Sequence, residues 1–333
     1  MALSADWDSF LSNQPMTVAS AKAPPKMPEP SSIYISTKTV IAYLDRPVDL
    51  TQVFWALAVV PYHVPTTGLV KKQMKFNSST QDQVVAIQER MKTYVYSYSN
   101  VMLRQEGAGG LKDIRKVTIG ISKKDVITNR PKIKGAFYNC FVMILRIMAD
   151  GVFKEFHVKV FNTGKVEIPG IQDNGHLKLI LDEMMSTLKT VVPELGYIQE
   201  SETIVLINSN FNCNYFLNRD KLYTKMREKH RIMAMYDPCS YPGIQCKLYF
   251  DGTTVTPTGS KKSCVSVMIF RTGSVLMVGK CTEVVLPAVY TFLNDLLKAE
   301  YTDIVETKSA EVSKKPPKVK SFRKSIAVKV ENY

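Results

Sequence analysis

The chain has 333 residues and weighs 37.5 kDa, with 45% hydrophobic and 22% charged residues. These ordinary globular values exclude global disorder and a membrane bundle, and the length is comfortable for two domains. The formal net charge of +14 is unevenly spread: residues 71–134 hold 14 Lys/Arg against 5 Asp/Glu, and residues 308–333 hold 8 against 2, attached to a nearly neutral body.

Clustered positive charge is the footprint of a partner bearing phosphates, or of a solubilising surface, and charge alone does not separate the two. The longest apolar run, residues 53–60, is far short of a membrane span, so no membrane association is expected. The N-terminus has neither a basic nor an apolar leader region. Six cysteines without a C-x-x-C pair argue for buried free thiols in a reducing compartment rather than disulfides or a zinc ribbon.

In chain order, residues 1–31 are rich in Pro, Ser and Ala and predict a disordered arm. A strand is expected over 33–44 and a short amphipathic helix over 49–60. The basic insertion, about 62–134, predicts a helix over 81–94, a loop at Gly107-Ala-Gly-Gly110 and a strand-like stretch at 117–121. That loop is no phosphate-binding P-loop, since no Gly-Lys-Ser/Thr ends it. Residues 303–333 predict a basic disordered tail.

Self-similarity decides the fold class. At an offset of 109 residues, Val158/Val267, Phe161/Phe270, Thr163/Thr272, Gly164/Gly273, Val166/Val275 and Gly170/Gly279 are identical without a gap. Each segment reads as a strand, a Thr-Gly turn and a second strand, and the offset carries into the next helix through Leu177/Leu286 and Leu188/Leu297. Upstream, the strand at 33–44 corresponds to 203–210, and the helix at 49–60 to 219–229. The unit of strand, helix, three antiparallel strands and long helix occurs twice, in a first repeat over 32–195 and a second over 196–302. Two such units can share one long curved antiparallel sheet with helices on one face. The other face is left open, and an exposed apolar surface there reads as a binding face.

Tyr236-Asp-Pro-Cys-Ser-Tyr-Pro-Gly243, Val265-Ser-Val-Met-Ile-Phe-Arg-Thr-Gly-Ser-Val-Leu-Met-Val-Gly279 and Val158-Lys-Val-Phe-Asn-Thr-Gly-Lys-Val-Glu-Ile-Pro-Gly170 resemble the repeats of the TATA-box-binding protein family. Asp113-Ile-Arg-Lys-Val-Thr-Ile-Gly-Ile-Ser-Lys-Lys124, Gly135-Ala-Phe-Tyr-Asn-Cys140, Ile207-Asn-Ser-Asn-Phe211 and Asn218-Arg-Asp-Lys-Leu-Tyr223 resemble its relatives in large nucleocytoplasmic DNA viruses. The resemblance implies an α+β saddle, helices on the convex face, and binding of double-stranded DNA in the minor groove by the concave face. Wedging aromatics kink the duplex there.

Carried over residue by residue, the resemblance makes Phe161 and Phe270 one wedge of each pair and Tyr241 the other wedge of the second repeat. Tyr138 or Cys140 takes that place in the first. Thr37, Thr39, Thr203, Val205, Met268, Leu276 and Val278 fall on the concave face. Arg146 and Lys247 match phosphate-contacting positions. The basic insertion adds Lys112, Arg115, Lys116, Lys123 and Lys124 as phosphate candidates.

The chain departs from the family where paired asparagines become Thr37 and Thr203, and where DNA-facing threonines become Pro169 and Val278. It departs further where a leucine and a valine become Lys159 and Glu167. A carboxylate there is repelled by phosphates, an effect that pairing with the neighbouring lysine would lessen but not remove.

The four histidines stand apart from carboxylates and cysteines, so no metal, cofactor or catalytic constellation is expected, and no enzyme. The expected function is a monomeric transcription initiation factor in contact with viral RNA polymerase or general transcription factors. It would work in the host cytoplasm (a viral factory) or nucleus, or be packaged in the virion. The alternative is a protein-interaction module of the transcription machinery or virion that keeps the saddle without reading TATA DNA. A third reading, an accessory domain of a nucleic-acid enzyme, is disfavoured by the missing catalytic constellation.

Overall fold

The computed structural model describes residues 26–107, 110–127, 137–259 and 263–306. Most of the expected N-terminal arm, the basic run 130–134 and the C-terminal tail from 307 lie outside the described residues.

Thirteen strands form one sheet in the order β11-β10-β12-β13-β8-β1-β7-β6-β5-β2-β4-β3, with β9 (Ala234–Met235) beside β10. Every pairing is antiparallel. The first repeat supplies β1 (Tyr34–Tyr43), β5 (Cys140–Ala149), β6 (Val152–Phe161) and β7 (Lys165–Ile171). The second supplies β8 (Thr203–Asn212), β10 (Gly243–Asp251), β12 (Cys264–Phe270) and β13 (Ser274–Gly279). Matching these in chain order makes the central run 10-12-13-8-1-7-6-5 read the same from either end, as a pseudo-twofold axis between β8 and β1 requires.

The hairpins agree residue for residue. Lys159 faces Glu167 and Val160 faces Val166, as Met268 faces Leu276 and Ile269 faces Val275, each at the 109-residue offset. Gly164 and Gly273 close the turns at φ +83° and +82°, a conformation glycine adopts without steric cost. A Cβ at either would also strike backbone oxygens, Arg46 O at 2.8 Å and Tyr215 O at 2.4 Å.

Alternate strand residues bury against the helices, giving two cores. Val158, Val160, Val166, Ile168, Met143 and Leu145 meet α4 (Asn174–Lys189) through Ile180, Met184 and Leu188. Val265, Val267, Ile269, Val275 and Met277 meet α6 (Val285–Ile304) through Val289, Leu293 and Leu297. Lys38 on β1 ties the starts of both long helices at the pseudo-dyad, donating to Asn174 Oδ1 at 3.1 Å and pairing with Glu283 at 2.6 Å.

Three expectations need correction. The helix expected over 49–60 is α1 (Leu50–Ala56), capped by Asp49. Pro61 disfavours a helical Val60, which instead donates its N–H to Leu69 O. The helix expected over 81–94 is α2 (Gln81–Lys92), and the insertion holds more regular structure than its charge suggests. Its strands β2 (Gly68–Ser78), β3 (Ser97–Gly107) and β4 (Gly110–Gly120), with α3 (Lys123–Ile127), extend the shared sheet through a β2–β5 pairing. The arm ends sooner than residue 31: Met27 and Ile33 pack on the second core, and Ser31 N–H donates to Asn212 O.

In the second repeat, α5 (Arg219–Glu228) follows β8 as α1 follows β1, and Leu222 and Met226 seat it in the core. The short β11 (Thr254–Thr256) ends the sheet.

Candidate nucleic-acid interface

The residues that alternate with the core residues point to the uncovered face. In the second half these are Gln245, Lys247 and Tyr249 on β10, Ser266, Met268 and Phe270 on β12, Ser274, Leu276 and Val278 on β13, and Asn208, Asn210 and Asn212 on β8. Lys247 and, at the outer end of β10, Asp251 are the charges among these outward positions. At the rim the Tyr241 and Phe270 rings lie 5.9 Å apart at 59°, and the Tyr241 hydroxyl donates to Met268 Sδ at 3.4 Å. Gly243 sits beneath both rings. A Cβ there would come within 3.0 Å of Phe270 and 3.1 Å of Tyr241, so glycine lets the pair close over the strand.

The asparagines escaped the sequence reading. Asn208 donates to Thr37 Oγ1 (3.0 Å), Asn210 to Ser36 Oγ (2.9 Å) and Asn212 to Ser274 Oγ (3.3 Å), a polar ladder along the strand beside the pseudo-dyad. Its signal was the period-two run from Asn208 to Asn212, which alternates asparagine with buried Ser209 and Phe211. Thr203 and Val205 lie at the start of β8, where the pairing skips Val205 between Ile204 and Leu206. Thr39 opposes Leu206 there.

The first half differs. Cys140 stands opposite Phe161 as Gly243 stands opposite Phe270, so register puts Tyr138 at Tyr241's place. The ring nearest Phe161, however, is Phe137, at 6.5 Å, while Tyr138 lies under the Lys75 ammonium at 3.6 Å. Cys140 itself is buried, and burial pushes its thiol up to about 11, so it presents nothing to a groove. Lys159 and Glu167 form the expected ion pair, 2.5 Å across β6–β7. Nearby, Asp125 of α3 pairs with Lys71 at 2.7 Å, and Glu155 accepts the Lys123 N–H at 2.8 Å. Lys71 and Glu155 both point to the open face, so the segment from Ser122 to Asp125 lies across it. His157, on the same face of β6, is driven down to about 4 by burial and by Lys159 and Lys116.

Two phosphate candidates are withdrawn. Arg115 is buried on the helix side of β4, where Nε and Nη2 grip the buried Asp113 carboxylate at 2.6 and 2.7 Å. Arg146 is buried too, donating to Thr66 O and Tyr62 O at 2.8 Å and to Val64 O, which pins the 62–66 loop. Lys112, Lys123, Lys124 and Lys247 are exposed, and Lys116 is half-buried. Runs of lysine and arginine in sequence did not reveal which cations were already spent on the fold.

No family model matches the chain, and no curated protein matches it. Among solved structures it is similar to the Methanococcus jannaschii TBP, with 14% identity and a TM-score of 0.41, covering 81% of this chain and 99% of that one. The two-repeat architecture rests on this chain's own strand order and register.

Proposed function

We propose that this chain is a DNA-binding transcription initiation factor of the TATA-box-binding type from a large nucleocytoplasmic DNA virus, engaging a duplex through the open face of its sheet. The second-half face carries the reading. It offers two rim aromatics, Tyr241 and Phe270, beside Met268, Leu276 and Val278, with short polar groups at the centre and no carboxylate on the outward positions of β8, β12 and β13. That composition suits a minor groove, where contact is mostly apolar packing and a few short hydrogen-bonding side chains meet the base acceptors. Lys247, Lys112, Lys123 and Lys124 supply phosphate contacts. RNA polymerase or general transcription factors of the virus are the partners, and the factor works as a monomer in the viral factory or nucleus, or is carried in the virion.

The engagement is asymmetric. Phe270→Ala should reduce duplex affinity and bending, read by fluorescence energy transfer across an A·T-rich duplex at fixed salt. Phe161→Ala, beside the paired Lys159 and Glu167, should reduce them less. Equal losses, or no bending by the parent protein, would sink the reading. The carboxylates on the first-half sheet face favour a second role for that face, docking of a protein rather than duplex DNA.

A further inference from the structure

The first half gathers a separate aromatic and cationic surface at its rim. Phe137 and Tyr138 are consecutive and 62% and 55% exposed, and the Phe137 ring lies 6.5 Å from that of the half-buried Phe161. Rings of this size normally bury, so two side by side in solvent mark a contact surface. Lysines attend them: Lys75 sits 3.6 Å from the Tyr138 centroid and Lys165 5.3 Å from that of Phe161. Lys75 also stands directly opposite Lys116 across β2–β4, which brings two cations to the same stretch of the rim.

We propose that this rim binds single-stranded nucleic acid. Phe137, Tyr138 and Phe161 stack unpaired bases, and Lys75, Lys116 and Lys165 follow the phosphates. Stacking on aromatic side chains within a positive track is the general chemistry of single-strand binding, tolerant of sequence because every base has a π-face. A duplex is the poorer occupant. The adjacent sheet surface carries the Glu155 and Glu167 carboxylates, which oppose two phosphate backbones laid flat. A single strand needs only the narrow rim. None of these residues belongs to the second-half face that carries the duplex reading; Phe161 and Tyr138 alone are shared with the weaker first-half contact proposed there.

The test is a fluorescence-anisotropy titration of the full chain with a labelled oligothymidine of about 15 nucleotides, alongside the duplex. Phe137→Ala and Tyr138→Ala leave both cores intact, and each should weaken oligothymidine binding about five- to 150-fold, Phe137→Ala while sparing duplex bending. Lys75→Gln with Lys116→Gln should reduce the log–log salt slope by about 1.4, two phosphates at about 0.7 each. Phe270→Ala should leave oligothymidine binding unchanged. The proposal is overturned if the parent protein fails to bind oligothymidine at low salt. It is equally overturned if the ring variants bind as the parent does, or if Phe270→Ala removes single-strand and duplex binding together.

Discussion

Lys72 joins the inserted strands to the first repeat, and its titration can be read as stability. The side chain is fully buried on the core side of β2, where Nζ donates to Phe54 O at 2.5 Å and Leu57 O at 2.6 Å. These are carbonyls at the C-terminal end of α1, where a cation is favoured. The Phe54 and Tyr94 ring centroids lie 5.1 and 4.8 Å from the ammonium. Burial lowers its pKa from 10.5 to about 8. Between those values the unfolded chain holds a proton that the folded chain has released, so this group makes stability rise with pH. A drop of about 2.5 units at 1.36 kcal/mol each amounts to about 3 kcal/mol across the window.

Lys72→Met removes that titration. At neutral pH it also leaves two carbonyls without their donor, at about 1–3 kcal/mol each, against relief of the buried charge, so one measurement there decides nothing. The difference between the two pH profiles does. Urea unfolding followed by circular dichroism from about pH 7 to 10 should show the parent gaining up to about 3 kcal/mol relative to the variant. Parallel profiles would mean that Lys72 keeps an ordinary pKa and that the two carbonyl bonds fully compensate burial.

Glu167→Val should strengthen duplex binding by removing a carboxylate from the open face; if it instead spares DNA affinity and abolishes a protein contact, the first-half face is a protein-docking surface. Arg115→Ala leaves the buried Asp113 carboxylate without its bidentate partner and should cost about 3–5 kcal/mol in urea unfolding, whereas Asp113→Leu with Arg115→Met should cost far less. Glu300, on α6, accepts from Lys225, Lys229 and His230, and chiefly the two lysines hold its carboxyl down to about 2. Its stabilisation is present above the unfolded pKa near 4.5 and is lost as pH falls toward 2. Glu300→Gln should therefore flatten the acid limb of the stability profile over that window.

The repeat was legible because its identities lie where the fold permits little change: the turn glycines, the core valines and the leucines of the long helices. The inserted strands were hidden by lysines. In β2, Lys71 and Lys72 break the alternation, yet both are buried, one on Asp125 and the other on the α1 carbonyls. A run of cations reads as surface until tertiary contacts supply carboxylates and carbonyls for it, and those partners stand tens of residues away in the chain. Arg115 was misread although its partner Asp113 is only two residues away, and Arg146, a phosphate candidate by resemblance, is spent on carbonyls some 80 residues distant.

The two halves thus share a backbone plan and divide in surface chemistry. Outward positions on β12 and β13 stay neutral, so Met268 and Leu276 face each other where Lys159 and Glu167 do in β6 and β7. A pseudo-twofold sheet with one apolar and one ionic half cannot meet a pseudo-symmetric duplex equally on both sides. The carboxylates, with the short segment bonded to Lys71 and Glu155, give the first half a surface of different chemistry. The inserted strands enlarge that half alone, since β2 attaches to β5, and they bring Lys75 and Lys116 to the rim where Phe137 and Tyr138 stand. The ionic positions of the first repeat and the inserted strands beside it therefore fall on one side of the sheet, while the outward positions of β12 and β13 in the second repeat are neutral.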